Sequence, residues 1–402
     1  MPPPRTASTF QASRSPAGGR PGPAASRRLL SVRDSDIIAI AMAEKLKDMF
    51  FTRRSLTQVA DAIGEHYPRF KARQFVKMIV TPAFDDMELK QKMRHVTVCL
   101  HETLPRSYAK ALDILIKAAP QVTGFEGMCL PDYVELYGLE DWDLSLPALA
   151  HFTRFSSSEF AIRPFIAQDP HRAMAFLSDL AENEDPNVRR FASEGCRPRL
   201  PWAMALPAFK QDPTPILPIL EKLKDDDSEF VRKSVANNLN DISKDHRELV
   251  LETCTRWQGR SRNADWIIKR ACRSLLKAGD RQAMLLFGFG DPQNIDVDKL
   301  AVSPKKIHIG DDVRVSFRLR VGTREACKVR IEYAVYFVKA NGKTSMKVFQ
   351  ITESELAPGE HAVSKKHSFA NMSTRKHYPG RHDIAIIVNG VEKTRTAVSL
   401  SE

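Results

Sequence analysis

The sequence has no long apolar run, no paired cysteines and, over its first 33 residues, no acidic side chain. No stretch approaches the roughly 18 consecutive apolar residues of a membrane-spanning helix, so such a span is excluded and no membrane partner is expected. The six cysteines (Cys99, Cys129, Cys196, Cys254, Cys272, Cys327) are scattered, with no C-x-x-C pair and no histidine at metal-ligand spacing. That pattern argues against a zinc site or a disulfide framework and for a reducing compartment. A phosphate-binding loop, a G-x-S-x-G elbow and an H-E-x-x-H helix are also missing. An enzyme built on this chain is therefore expected to use carboxylates and cations, with no metal and no cofactor.

What the chain does have is positive charge. Its 402 residues carry 61 Lys and Arg against 49 Asp and Glu, a formal net charge of +12, and its 43% hydrophobic content is ample for a core. The length suits two or three domains. Residues 1–33 contribute +6, residues 301–402 contribute +8 from 18 cations and 10 acids, and the stretch between is near neutral at −2. A basic chain of this kind is expected to meet nucleic acid. Its middle must then cluster cations on one face, while the two basic ends add salt-dependent, sequence-independent affinity.

Residues 1–33 hold six Arg, six Pro and three Gly, with too few large apolar side chains to order them. The composition favours a disordered tail over a transit peptide, because the Pro-Gly runs break any helical period. From 34 to 290 the pattern is helical. Ile37, Ile38, Ile40 and Ala41 share a face within Asp36–Glu44, followed by Leu56, Val59, Ala60 and Ile63 and by Leu112, Leu115 and Ile116. Aligning Val188, Val231 and Ile268 gives spacings of 43 and 37 residues. Each unit has a cap or acid, an apolar residue, two adjacent cations and then a small residue (Ala192, Ala236, Ala271). Such units suit HEAT-like helix pairs stacked into a solenoid. Stacking sets Arg189/Arg190, Arg232/Lys233 and Lys269/Arg270 in a row, either as a DNA-gripping face or as solvated helix ends paired with acids.

Past Asp296 the period changes to two. Val313, Val315, Phe317, Leu319 and Val321 alternate with outward Arg314, Arg318 and Arg320. Further strands are expected at 329–338, 362–369 and 382–388, with Asn341-Gly342 and Asn389-Gly390 as hairpin signals. The expected fold is multidomain: an all-α HEAT-like solenoid over 34–290, then an all-β immunoglobulin-like sandwich over 296–402 without an inter-sheet disulfide.

Three segments could carry chemistry. In Phe155–Phe165, Glu159 is either the end of a Ser156-x-x-Glu159 capping box or a carboxylate on the concave wall. Ala192–Trp202 ends a helix with Gly and two Pro and presents Arg197, Arg199 and Trp202, suited to phosphate and to a flat base or sugar, or to a closed structural loop. Ser234–His246 places Asn237, Asn238 and Asn240 inside a helix, where asparagine is costly. Their amides should therefore have partners, in an adjacent repeat or in a ligand.

GFEGM (124–128), LPDYVELYGL (130–139), FSSSEFAIRPF (155–165), VRRFASEGCRPRLPW (188–202) and VRKSVANNLNDISKDH (231–246) resemble the AlkC group of bacterial DNA alkylation repair glycosylases, over roughly residues 38–290. The resemblance implies an AlkD-like HEAT-repeat glycosylase, with the C-terminal immunoglobulin-like domain of the longer members. It implies hydrolysis of cationic N-alkylated bases (3-methyladenine, 3-methylcytosine, 1-methyladenine) from double-stranded DNA by a monofunctional, cytoplasmic, nucleoid-associated monomer. On this reading Glu159 is the first choice for the catalytic carboxylate, with Asp241 and Glu126 in reserve. Trp202 and Arg163 would meet the lesion nucleotide, and Arg189, Arg190, Arg197, Arg199, Arg232, Lys233, Asn237, Lys269 and Arg270 would hold the DNA. A non-catalytic scaffold and a damage sensor stay open as alternatives.

Overall fold

The computed structural model describes residues 49–372 and 375–402. The expected tail (1–33) and the helix at 36–44 lie outside the described residues. From Arg53 to Leu286 helix follows helix. Leu56, Val59, Ala60 and Ile63 all face the core from the helix Arg53–His66, and Leu112 and Leu115 do so from Tyr108–Ala118. No helix among the described residues is long and apolar enough to cross a membrane.

The aligned segments become the helices Pro186–Gly195, Glu229–Ile242 and Arg262–Ala271, which pack side by side in that order. Val188, Val231 and Ile268 are buried, as are Ala192, Ala236 and Ala271, whose small side chains let the helices approach. The first cation of each of the first two pairs has a shared structural task. Arg189 Nη1 donates to the carbonyls of Asn183 (2.9 Å) and Glu184 (2.8 Å), and Arg232 Nη1 donates to those of Asp226 (2.7 Å) and Asp227 (2.8 Å), 43 positions on. Asp226 also takes Arg189 with both oxygens, at 2.6 and 3.0 Å, and accepts from Ser228 N at 2.8 Å. Its carboxylate thus keys one repeat into the next through charge-assisted bonds.

The helical asparagines do have partners, and for the buried Asn238 and Asn240 these include backbone carbonyls of the flanking helices. Asn238 Nδ2 donates to Ser193 O and Asn240 Nδ2 to Ala271 O, both at 2.8 Å. Those carbonyls sit in the last turns of the flanking helices, where the helix itself leaves oxygens without a donor.

The sandwich has strands β1 (Ile295–Ser303), β2 (Lys306–His308), β3 (Asp312–Val321), β4 (Cys327–Val338), β5 (Thr344–Leu356), β6 (Gly359–Ser368), β7 (Gly380–Val388) and β8 (Val391–Ser401). One sheet runs β1-β3-β6 and the other β2-β8-β7-β4-β5, with β2 parallel to β8. Val313, Val315, Phe317, Leu319 and Val321 are all buried, as their alternation predicts. Asn389 (φ 46°) and Gly390 (φ 80°) both adopt the left-handed conformation of a two-residue type I′ hairpin. All six cysteines are free.

The two domains are joined by more than the chain. Gly290 N donates to Lys328 O, Asn389 Nδ2 to Gly290 O and Lys328 Nζ to Phe287 O, at 3.2, 2.8 and 3.0 Å. Gly279 and Gly390 press backbone on backbone: a Cβ on Gly279 would lie 2.5 Å from Gly390 O. Lys269 reaches across to Glu353 at 2.7 Å.

Candidate active site

The helix Pro186–Gly195 begins with Asp185 as N-cap and Pro186 in its first turn, and buries Val188, Phe191 and Ala192. That orientation leaves Arg190 and Glu194, four residues apart, on a shared face. Gly195 then permits a close approach, since a Cβ there would meet Ile162 Cγ2 at 2.8 Å. The helix stops, and residues 196–206 form the loop that carries Arg197, Arg199 and Trp202.

From these elements a continuous line of alternating charge is assembled. Arg190 holds Glu159 at 2.6 and 3.3 Å, donates to Ser157 Oγ at 2.9 Å and lies 3.5 Å from Glu194. Glu194 takes Arg197 Nη1 on one oxygen and Ser234 Oγ on the other, both at 2.6 Å. Arg197 passes on to Asp241 at 2.8–2.9 Å, and Asp241 accepts from Lys244 at 2.9 Å. Burial opposes the Arg197 charge, yet Glu194 and Asp241 more than offset it and raise its pKa. Glu194 and Asp241 are buried, while the Glu159 end lies nearer the surface.

Exposed apolar side chains stand on the Trp202 loop and on the helix Glu229–Ile242. Trp202 is 53% exposed with φ +65°, a left-handed backbone that a bulky residue rarely adopts. Met204 and Phe230 are also exposed, and the Arg190 guanidinium stacks on Phe230 at 4.8 Å. Lys90 Nζ donates to Trp202 O at 2.7 Å.

Several expectations are corrected by this geometry. Ser156 and Glu159 form no capping box: the next helix starts at Ile162, Ser156 Oγ donates to Gly124 O, and Glu159 belongs to Arg190. Glu126 Oε1 accepts from Phe51 N at 3.2 Å, and its GFEGM turn braces the Ser156 loop, with Gly124 N donating to Phe155 O. Arg163 is wholly buried and cannot touch a substrate. It donates to Met204 O at 2.6 Å and Gly195 O at 3.0 Å, gathering both ends of the loop, and burial pushes its pKa down to about 10.

Among the residues expected to hold DNA, Arg189 and Arg232 serve the repeat seam, Arg197 serves the carboxylates and Lys269 serves the domain junction. Arg190 likewise points to Glu159 rather than outward. Arg270 and Arg232 flank the Trp266 ring at 5.6 and 5.7 Å, and Asn237 Oδ1 accepts from Arg273 at 3.1 Å. Arg199, paired with Asp245 at 2.7 Å, and Lys233, paired with Glu229 at 2.7 Å, remain at the surface. Sequence reasoning missed Glu194, Lys90 and Phe230. The signal for Glu194 was its position four residues after Arg190 and three before Arg197.

Residues 152–275 match a family model described as DNA alkylation repair enzyme, and residues 296–402 match one described as the C-terminal Ig-like domain of the uncharacterised protein YhaZ. The chain is 45% identical over 349 residues to the uncharacterized protein YhaZ of Bacillus subtilis (strain 168), covering 87% of this chain and 97% of that one. Among solved structures it is similar to the Pseudomonas fluorescens alkylpurine DNA glycosylase AlkC bound to DNA containing an abasic site analog. That match has a TM-score of 0.85 and 37% identity, over 89% of this chain and 99% of the other. A HEAT-like solenoid followed by an Ig-like domain, with these matches, defines a DNA alkylation repair protein. The chain belongs to the AlkC family of DNA glycosylases.

Proposed function

We propose that the protein is a monofunctional glycosylase that hydrolyses the N-glycosidic bond of cationic N-alkylated bases, among them 3-methyladenine, 3-methylcytosine and 1-methyladenine, in double-stranded DNA. The observation that carries this reading is the line Glu159–Arg190–Glu194–Arg197–Asp241 beside exposed Trp202 and Phe230. The AlkC relative's capture of an abasic-site analog, a likeness of the product, supports it.

A cationic base leaves readily, because the C1′–N bond breaks with its electron pair neutralising the departing ring. The remaining barrier is the positive charge that develops on the deoxyribose. Glu159 lies at the more accessible end of the line and faces that charge, while water adds its oxygen to C1′ and releases a proton. A unit charge pair at 4 Å contributes about 4 kcal/mol at an effective dielectric near 20, or about three decades of rate. Arg190 can yield part of Glu159 to the substrate without being stranded, since Glu194 and the Phe230 ring also hold it. Glu194 and Asp241 fix Arg197 and so preorganise the wall behind Glu159. Trp202 contributes a flat face for the lesion nucleotide, and Arg199, Lys233 and Lys244 contact phosphates.

Purified protein incubated with methylated duplex DNA, without added metal or 2-oxoglutarate, is expected to release free base and leave an abasic site. Tight, damage-selective binding without release would instead identify a sensor, and neither binding nor release would identify a scaffold. The basic sandwich is expected to add affinity, so removing residues 296–402 should weaken DNA binding and flatten its salt dependence.

A further inference from the structure

Lys90 sits at the start of the helix Leu89–Thr103, 112 residues before Trp202. In a DNA-binding protein the ordinary partner of an exposed lysine is a phosphate. The surroundings of this one are already electron-rich. Its ammonium donates to Trp202 O at 2.7 Å and stands over the Phe160 ring at 5.0 Å. A carbonyl and a ring face draw the ammonium towards the protein.

What it holds is a strained residue. At φ +65° the Trp202 side chain crowds its own backbone, and such a conformation persists only where its surroundings impose it. Arg163 fixes the two ends of the loop through Gly195 O and Met204 O. The carbonyl of Trp202 itself is fixed by Lys90. Phe160, the other face of the same ammonium, follows Glu159 directly in the chain, so one lysine ties the tryptophan loop to the segment that carries the carboxylate.

We propose that Lys90 is a positioning residue, which holds Trp202 in the left-handed conformation that presents its indole beside the Glu159 segment. The kinetic side of this proposal rests on the glycosylase reading above, and the conformational side does not.

The test compares Lys90→Met, Lys90→Arg and Trp202→Ala with the wild-type chain. Single-turnover base release at saturating methylated duplex is expected to slow about tenfold in Lys90→Met, with affinity within about twofold and an unchanged salt slope, since a displaced positioning group costs rate rather than binding. Lys90→Arg should recover most of the rate, and Lys90→Met should cost nothing further on a Trp202→Ala background. Weaker binding, a shallower salt slope and an unaffected saturated rate would make Lys90 a phosphate contact and overturn the proposal. In DNA-free protein labelled with 5-fluorotryptophan, the Trp202 fluorine resonance (assigned by Trp202→Phe) should move in Lys90→Met and not in Lys90→Arg. An unmoved resonance also overturns the proposal. Should the wild-type chain release no base at all, the glycosylase reading falls, while the fluorine measurement still decides whether Lys90 sets Trp202.

Discussion

The solenoid and the sandwich differ in the ionisable groups that their cores hold. In the solenoid the buried Glu194 and Asp241 are ion-paired with Arg197, and the partly exposed Arg189 is ion-paired with Asp226. In the sandwich one such pair, Arg330 with Glu332 at 2.6 Å, is accompanied by three histidines, His367, His377 and His382, packed among Phe337, Phe349 and Phe369. Burial pushes His367 and His377 down to about 4, with Arg375 nearby adding to the effect, so both are neutral near pH 7. The paired charges of the solenoid's candidate site therefore set a fixed electric field. The polar core of the sandwich serves its fold. The paired charges of the solenoid also divide between seam and site. Arg189 and Arg232 repeat the same carbonyl contacts, whereas the residues that follow them diverge, with Arg190 joining the carboxylates and Lys233 staying at the surface.

That division can be broken at graded cost. The largest effect is expected at Glu159→Gln, which removes the charge and keeps the shape. Single-turnover base release should fall by about three decades, the value of one charge near the developing oxocarbenium, with DNA affinity little altered. Release at the wild-type rate would take Glu159 out of the role. Next comes the seam: Arg189→Met leaves the Asp226 carboxylate, whose side chain is only 5% exposed, without its cation, and urea denaturation should report about 3 kcal/mol of lost stability. Acid should then act on the sandwich. The unfolded chain binds protons at His367 near pH 6.5 and the folded chain only near 4. Stability is thus complete above about pH 6.5 and lost as pH falls towards 4, by up to about 1.4 kcal/mol per unit for that residue. Thermal melts at pH 7 and pH 5 should show it, and His367→Phe should flatten it. The smallest effect is expected at Lys233→Met, within about 0.5 kcal/mol in stability because its Glu229 partner is a surface pair. A large loss there would erase the distinction between seam and surface.

Much of the architecture was legible because it is written locally. The alternation of Val313–Val321 and the Asn389-Gly390 turn are short-range patterns, the repeat of Val188 and Val231 is one short pattern written twice, and the structure follows each. β5 and β8 escaped notice because Thr, Lys, Glu and Arg interrupt their apolar positions, and their pairing with β4 and β7 is what makes them strands. The site was less legible for a related reason. Arginine looks the same in sequence whether it faces DNA or a buried carbonyl, and the contacts that decide, Arg163 to Met204 and Arg197 to Asp241, span 41 and 44 residues. The Ser156-x-x-Glu159 pattern misleads in the same way, since Arg190, 31 residues on, outcompetes a local cap for the carboxylate. The need of the asparagines for partners could be read from their cost in a helix, but not which carbonyls would meet it.

The contact of Gly279 with Gly390 gives the two domains a mechanical stop. Backbone touches backbone there, so the smallest possible side chain at either position is a shim rather than a filler, and it would open the angle between solenoid and sandwich without altering a single charge. The basic sandwich hangs on that angle like the jaw of a calliper whose gap was set by leaving two methyl groups out.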